Sequence, residues 1–242
     1  MSTQRISFER SSEIGAYALL TNKYCLLGKC KSRNFYSHFQ AVLNLPMAET
    51  TINTISIVGN LCRGNSHGLL LPSTVTDQEK QHVANLLPDG VKIRVIDERL
   101  NALGNTVICN DRIALVHSDM ETANMEIIEN ALNVEVIKHF IGKEPLVGAF
   151  ASMNGQGMLV HPLCTVEEID ELSQLLSLQV MAGTVNKGTS VIGGGIVVND
   201  WSLFIGSNST TTEMSVAERV FMIGDKKDDD MLKKTWVEGI VD

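Results

Sequence analysis

The chain has 242 residues with 28 acidic and 20 basic side chains, a formal net charge of −8 and 44% hydrophobic residues. That composition supplies a sizeable core, contains no apolar run near the roughly 18 to 20 residues that span a bilayer, and lacks the clustered Lys and Arg that grip nucleic-acid phosphates. Five cysteines, Cys25, Cys30, Cys62, Cys109 and Cys164, show no metal-ligand spacing, so they read as buried or inert thiols in a reducing compartment.

In chain order, Arg5-Ile6-Ser7-Phe8 alternates like a strand, and the glycine that follows at Gly15 is the first of a series. Gly15, Gly59, Gly104, Gly148 and Gly193 are spaced by 44 or 45 residues, the mark of an internal repeat. Repeat one continues with an apolar run, a turn at Asn22 and a helix expected from Ser32. Repeat two has its turn at Asn65, a capping box of Thr76 with Glu79, a helical pattern with Val83, Leu86 and Leu87, and a strand from Val91 to Ile96. In repeat three, Thr106-Val107-Ile108 and Ile113 to Val116 flank Asn110, an arrangement that reads as a hairpin because Asn tolerates the left-handed backbone of tight turns. Ser118 with Glu121 predicts its cap, and Val134 to Phe140 its third strand. Repeat four turns at Asn154 and caps with Thr165 and Glu168. It sets Val166, Ile169, Leu172 and Leu175 on one expected face and closes with Gln179 to Gly183. Repeat five turns at Asn199, caps with Thr210 and Glu213, and shows a helix at Val216 to Met222 with no strand after it.

The unit is therefore strand, turn, strand, helix, strand. Arg5 to Phe8 precedes Gly15 by the interval at which other third strands precede their glycines, so it completes repeat five and closes a ring. Closure is expected to remove exposed sheet edges. The expected organisation is one five-repeat domain over residues 1–223 and a tail over 224–242. Gly193-Gly194-Gly195 matches no phosphate-binding pattern and reads as close backbone packing near the axis. His117 and His161 share an offset of thirteen residues from their glycines, which reads as repeat geometry.

The turns that open the repeats are expected to gather on one face. Asn105 is the first candidate contact residue there, because an amide beside a glycine can bond a partner's backbone at close approach; Asn60, Phe150 and Val191 follow. A turn amide satisfied within its own repeat is the alternative for Asn105, and a core position for Phe150.

Several strings, among them Glu13-Ile14-Gly15, Gly64-Asn65-Ser66-His67-Gly68-Leu69-Leu70, Thr76-Asp77-Gln78-Glu79, Cys109-Asn110-Asp111, Gly183-Thr184-Val185-Asn186 and Val197 to Trp201, resemble the eukaryotic translation initiation factor six family, ribosome anti-association factors of the pentein fold. The resemblance runs to about Met222. It implies an α+β pentein, a β/α propeller of five ββαβ-like repeats about a pseudo-fivefold axis, with no cofactor, metal or catalytic residue. The family binds the intersubunit face of the large ribosomal subunit, chiefly a ribosomal protein near the sarcin-ricin loop with limited rRNA contact, and keeps the small subunit away. It accompanies immature large subunits out of the nucleus, is ejected by a GTPase and its cofactor, and occupies cytoplasm and nucleus, including the nucleolus, with no membrane. A compact chain of this length has a radius of gyration of roughly 17 to 18 Å, enough to obstruct a subunit interface. The wider superfamily also contains amidine-modifying enzymes with a late cysteine nucleophile; here the last cysteine is Cys164.

Overall fold

Five three-stranded sheets surround an axis in the computed structural model, which describes residues 2–224. The expected tail, Gly224 apart, lies outside the described residues. Each sheet is a blade with inner, middle and outer strands: the inner pairs antiparallel with the middle, and the middle parallel with the outer. Blade one uses Ala18–Leu20, Cys25–Gly28 and Met47–Thr50; blade two uses Arg63–Gly64, Gly68–Pro72 and Lys92–Ile96. Blade three uses Val107–Cys109, Ile113–Val116 and Glu135–Lys138, and blade four Ala151–Met153, Gly157–Val160 and Gln179–Ala182. In blade five Ile196–Val198 and Ser202–Gly206 are joined by the N-terminal strand Ser2–Ile6, paired from Ser2 opposite Ser202 to Ile6 opposite Gly206. The closing strand runs from Ser2 to Ile6 and overlaps the expected Arg5 to Phe8 only at Arg5 and Ile6. The architecture is the pentein-like α+β arrangement.

The middle strands are nearly continuous apolar runs because both of their faces are covered. In blade two, Leu69 and Leu71 enter one hydrophobic cluster and Leu70 the next. Each of the five clusters draws on two neighbouring blades. The core is therefore a set of five interfaces, and closure supplies the fifth, where Phe39 stacks on Phe204 at 4.2 Å between ring centroids. Closure does not remove sheet edges, contrary to the expectation. The five sheets are separate, and each retains an inner edge toward the axis and an outer edge.

The helices Asn34–Val42, Asp77–Leu86, Thr122–Leu132, Val166–Leu176 and Thr211–Val220 each follow a middle strand. Capping boxes form at Thr76 with Glu79, Thr165 with Glu168 and Thr210 with Glu213. The Ser118 and Glu121 box does not form: Ser118 and Asp119 lie in a turn closed by the Met120 N–H on the His117 carbonyl, Glu121 is extended, the helix starts at Thr122, and the Ser118 hydroxyl meets Asp119 instead. In repeat one the helix starts after Arg33, with the Ser32 hydroxyl accepting from the Asn34 N–H at 3.3 Å. The last helix ends at Val220, since Met222 has a left-handed backbone. Along Val166–Leu176 the three-residue period misleads. Successive steps of three rotate a side chain by about −60° on a 3.6-residue helix, so Val166 (70% exposed) and Leu175 (40%) turn outward while Leu172 and Leu176 are buried.

Two of the capping glutamates also tie one blade to the turn before it. Glu79 accepts hydrogen bonds from the Thr51 hydroxyl and from the Asn53 and Thr54 N–H groups, in addition to those from Thr76. Glu213 accepts from Thr184, Lys187 and Gly188 besides Thr210. Partial burial pushes both carboxyls up, but these hydrogen bonds to the charged form outweigh it and hold each at about 2. A carboxyl depressed in the fold stabilises above its unfolded value, near 4.5, and that contribution is lost as the pH falls toward 2. Glu79→Gln with Glu213→Gln is expected to cost roughly 2 to 4 kcal/mol at pH 7 and to flatten the decline in stability between about pH 4.5 and 2, measured by urea unfolding at several pH values. An unaltered acid profile would show that other carboxyls govern it.

Candidate functional site

One end of the axis is made by the short turns that open the repeats: Ile14–Ala16, Val58–Leu61, Leu103–Thr106, Val147–Phe150 and Ile192–Gly195. Each touches the next, and the fifth touches the first. Glycine makes this circle possible. A methyl on Gly59 would collide with the Gly15 carbonyl oxygen, one on Gly104 with that of Gly59, and so round to Gly15 against Gly193. Gly193 thus serves close backbone packing, as its sequence context indicates.

Of the four expected contact residues, Asn60, Asn105 and Phe150 fall on these turns and Val191 immediately before one. Asn105 and Asn60 occupy the same position, one residue after their glycines, in neighbouring turns, and both are half-buried. The Asn60 backbone lies against Gly104, immediately before Asn105. The Asn105 N–H donates to the Ala102 carbonyl at 2.9 Å; among the described residues no hydrogen bond engages either side-chain amide. The equivalent positions in the other turns are Ala16, Ala149 and Gly194, so two adjacent amides stand beside three small residues. Val191 precedes its turn and is 36% exposed. Phe150 is divided: it packs partly into the cluster between blades three and four and meets His161 edge-on at 5.3 Å, so the core alternative accounts for part of it.

At the opposite end of the axis the turn asparagines are paired, while among the described residues His67 Nδ1 and Gln156 Oε1 in the same turns are buried without a partner. Asn65, Asn110, Asn154 and Asn199 each accept from the N–H groups two and three residues on. Each also donates to the next blade: Asn65 to Asn110, Asn110 to Asn154, Asn154 to Asn199 and Asn199 to Thr21, at 3.1 to 3.3 Å. Repeat one departs from the expected alignment. Thr21, not Asn22, holds this position, its hydroxyl accepting from Lys23 and Tyr24. Asn22 instead bridges the carboxylates of Asp111 and Asp200 at 3.0 and 2.7 Å. His117 and His161 make the same local bond, each Nδ1 accepting the N–H two residues on.

Between the two ends lies an axial chamber of about 50 Å³, lined by the five opening glycines and the inner strands. Sequence reasoning overlooked Arg63, which lines it. The repeat register carries the signal: four residues after their glycines the other repeats have Leu19, Ile108, Ser152 and Val197, and repeat two has an arginine.

The geometry defines a closed five-bladed ring with one end tied together by a circle of asparagines and, at the other, two side-chain amides unengaged among the described residues over close-packed turns. The chain belongs to the eIF-6 family, which residues 3–220 match. It is 49% identical over 237 residues to eukaryotic translation initiation factor 6 of Encephalitozoon cuniculi, covering 98% of each chain. The protein of the same name from Schizosaccharomyces pombe is 49% identical over 223 residues (91% of each), and that of Trypanosoma cruzi 45% over 223 residues (91% of this chain, 90% of the relative). Among solved structures the chain is similar to a dimethylarginine dimethylaminohydrolase, with a TM-score of 0.47 and 11% identity, over 75% of this chain and 69% of that one. It is also similar to the N-terminal domain of a cyanobacterial arginine dihydrolase, with a TM-score of 0.47 and 12% identity over 71% and 67%. Resemblances this distant assign no activity. The sequence relatives are named translation initiation factors, and the chain is a member of that family of factors.

Proposed function

We propose that this chain binds the large ribosomal subunit at its intersubunit face through the circle of opening turns, and that its bulk blocks premature joining of the small subunit. The observation that carries the reading is the side-by-side placement of Asn60 and Asn105, with side-chain amides unengaged among the described residues, in a family of initiation factors. Val191 and the outer part of Phe150 extend the patch. With a net charge of −8 the chain gains little from rRNA phosphates, which favours a ribosomal protein as principal partner; the family resemblance puts that protein near the sarcin-ricin loop. The same attachment serves large-subunit maturation and export, places the chain in nucleus, nucleolus and cytoplasm, and ends when a GTPase and its cofactor displace it.

This reading is non-catalytic. A cysteine nucleophile works as the thiolate, and burial opposes that form at Cys25 and Cys62, whose thiols lie far above the usual range. Burial likewise raises Cys109 to about 12, and burial with the nearby Glu168 charge raises Cys164 to about 11. Sedimentation with separated ribosomal subunits tests the proposal: the chain is expected to comigrate with large subunits alone. Comigration with neither subunit, or with both, would contradict it.

A further inference from the structure

Arg63 is the one charged group among the described residues that line the axial chamber. Arg63 lines the chamber and is partly buried as a residue. Nη2 donates to the Gly104 carbonyl, while Nε is buried and has no partner. An arginine stays protonated at neutral pH, and a buried charge is costly unless it is paired. The neighbouring thiols do not supply the counter-charge, because burial keeps Cys109 and Cys62 protonated. No carboxylate lines the chamber, whereas Ser152, with a hydroxyl donor, lines it on another blade.

We propose that the axial chamber is a binding site for a small monovalent anion of the halide class, held by the Arg63 guanidinium with the Ser152 hydroxyl as a second donor. The size fits. The chamber measures about 50 Å³, and one water needs roughly 10 to 15 Å³ of such space, so a halide enters with two or three waters while an organic acid of gluconate size is excluded. The ion neutralises a charge at the centre of the ring, where the opening turns of blades two, three and four converge on the chamber.

Two measurements test this. Melting of the full chain is compared in sodium chloride and sodium gluconate at equal ionic strength. The wild type is expected to melt roughly 3 to 6 °C higher in chloride, the shift for an ion at about ten times its dissociation constant. In Arg63→Met that difference is expected to vanish, and in Ser152→Ala to shrink; an equal difference in wild type and Arg63→Met, or none in wild type, overturns the proposal. Crystals of wild-type protein purified in sodium bromide provide a second readout that does not depend on either variant folding. An anomalous peak beside Arg63 is expected, and a chamber holding water alone overturns the assignment.

Discussion

Deleting residues 2–8 is expected to leave a protein that melts more than 10 °C below the full chain or fails to fold. The segment supplies the whole outer strand of blade five, paired at five positions with Ser202–Gly206. It also supplies Ile6 and Phe8, 2% and 7% exposed, to the cluster between blades five and one. Phe8 stacks on Tyr17 with centroids 3.8 Å apart and meets Phe35 edge-on at 5.0 Å. Burial of two such side chains is worth roughly 3 to 6 kcal/mol, before the unpaired backbone of the middle strand is counted. Most of a typical domain's stability of about 5 to 15 kcal/mol is then at stake. The contrast is Arg5→Ala, which breaks only an exposed bond to Thr211 and is expected to cost under about 1 kcal/mol. Calorimetry on the three proteins checks the pair of expectations, and a truncated chain melting with the full chain would refute closure by the N-terminal strand.

Gly104→Ala is the second large effect. Its added methyl would overlap the Gly59 carbonyl oxygen and approach the Asn60 carbonyl carbon at 2.8 Å, both backbone, so no side-chain rotation relieves the clash. Separating the two turns forces the neighbouring contact with Gly148 as well, because the five turns form a closed circle. A loss of roughly 3 to 5 kcal/mol is expected, in the range that only specific core or backbone defects reach, lowering the melting temperature by about 10 °C. Gly188→Ala is the comparison: nothing lies within 4 Å of its added methyl, leaving only the strain of its positive φ. Equal costs at the two sites would show that conformational strain, not axial crowding, governs both.

The architecture was legible because the packing that builds it leaves residue-type marks. A carbonyl in van der Waals contact with a Cα admits only glycine, hence the 44- to 45-residue spacing. An amide that both closes its own turn and donates to the next blade appears as asparagine at four of five turns. Thr21 escaped notice because its hydroxyl closes the turn equally well, with Asn22 adjacent as a decoy. It lacks the second donor, and the donor circle stops there. The misjudged face of Val166–Leu176 follows from treating a three-residue recurrence as a helical stripe, and the misplaced cap at Ser118 from a spacing that matches while Ser118 sits in a turn and the helix starts only after Glu121. The candidate site was legible as a place but not as a surface. Glycines locate the opening turns, but whether a side chain beside them is free depends on the neighbouring blade, as the division of Phe150 between core and face shows. Arg63 was missed because a charge in a short inner strand draws no attention until the repeats are set in register.

The central claim is that the circle of opening turns is the surface that docks on the large subunit, and Asn105→Arg tests it most directly. The residue is half-buried on a turn whose own amide and carbonyl bonds do not involve its side chain, so the fold is expected to persist, while a bulky charge enters the centre of the patch, where a few residues dominate an interface. The folded variant is titrated into purified subunits, with large-subunit binding and small-subunit joining both measured. The account predicts binding weakened at least tenfold, the effect of about 1.4 kcal/mol, with joining restored in proportion. Unchanged binding would contradict the docking surface, and lost binding with joining still blocked would contradict the steric mechanism.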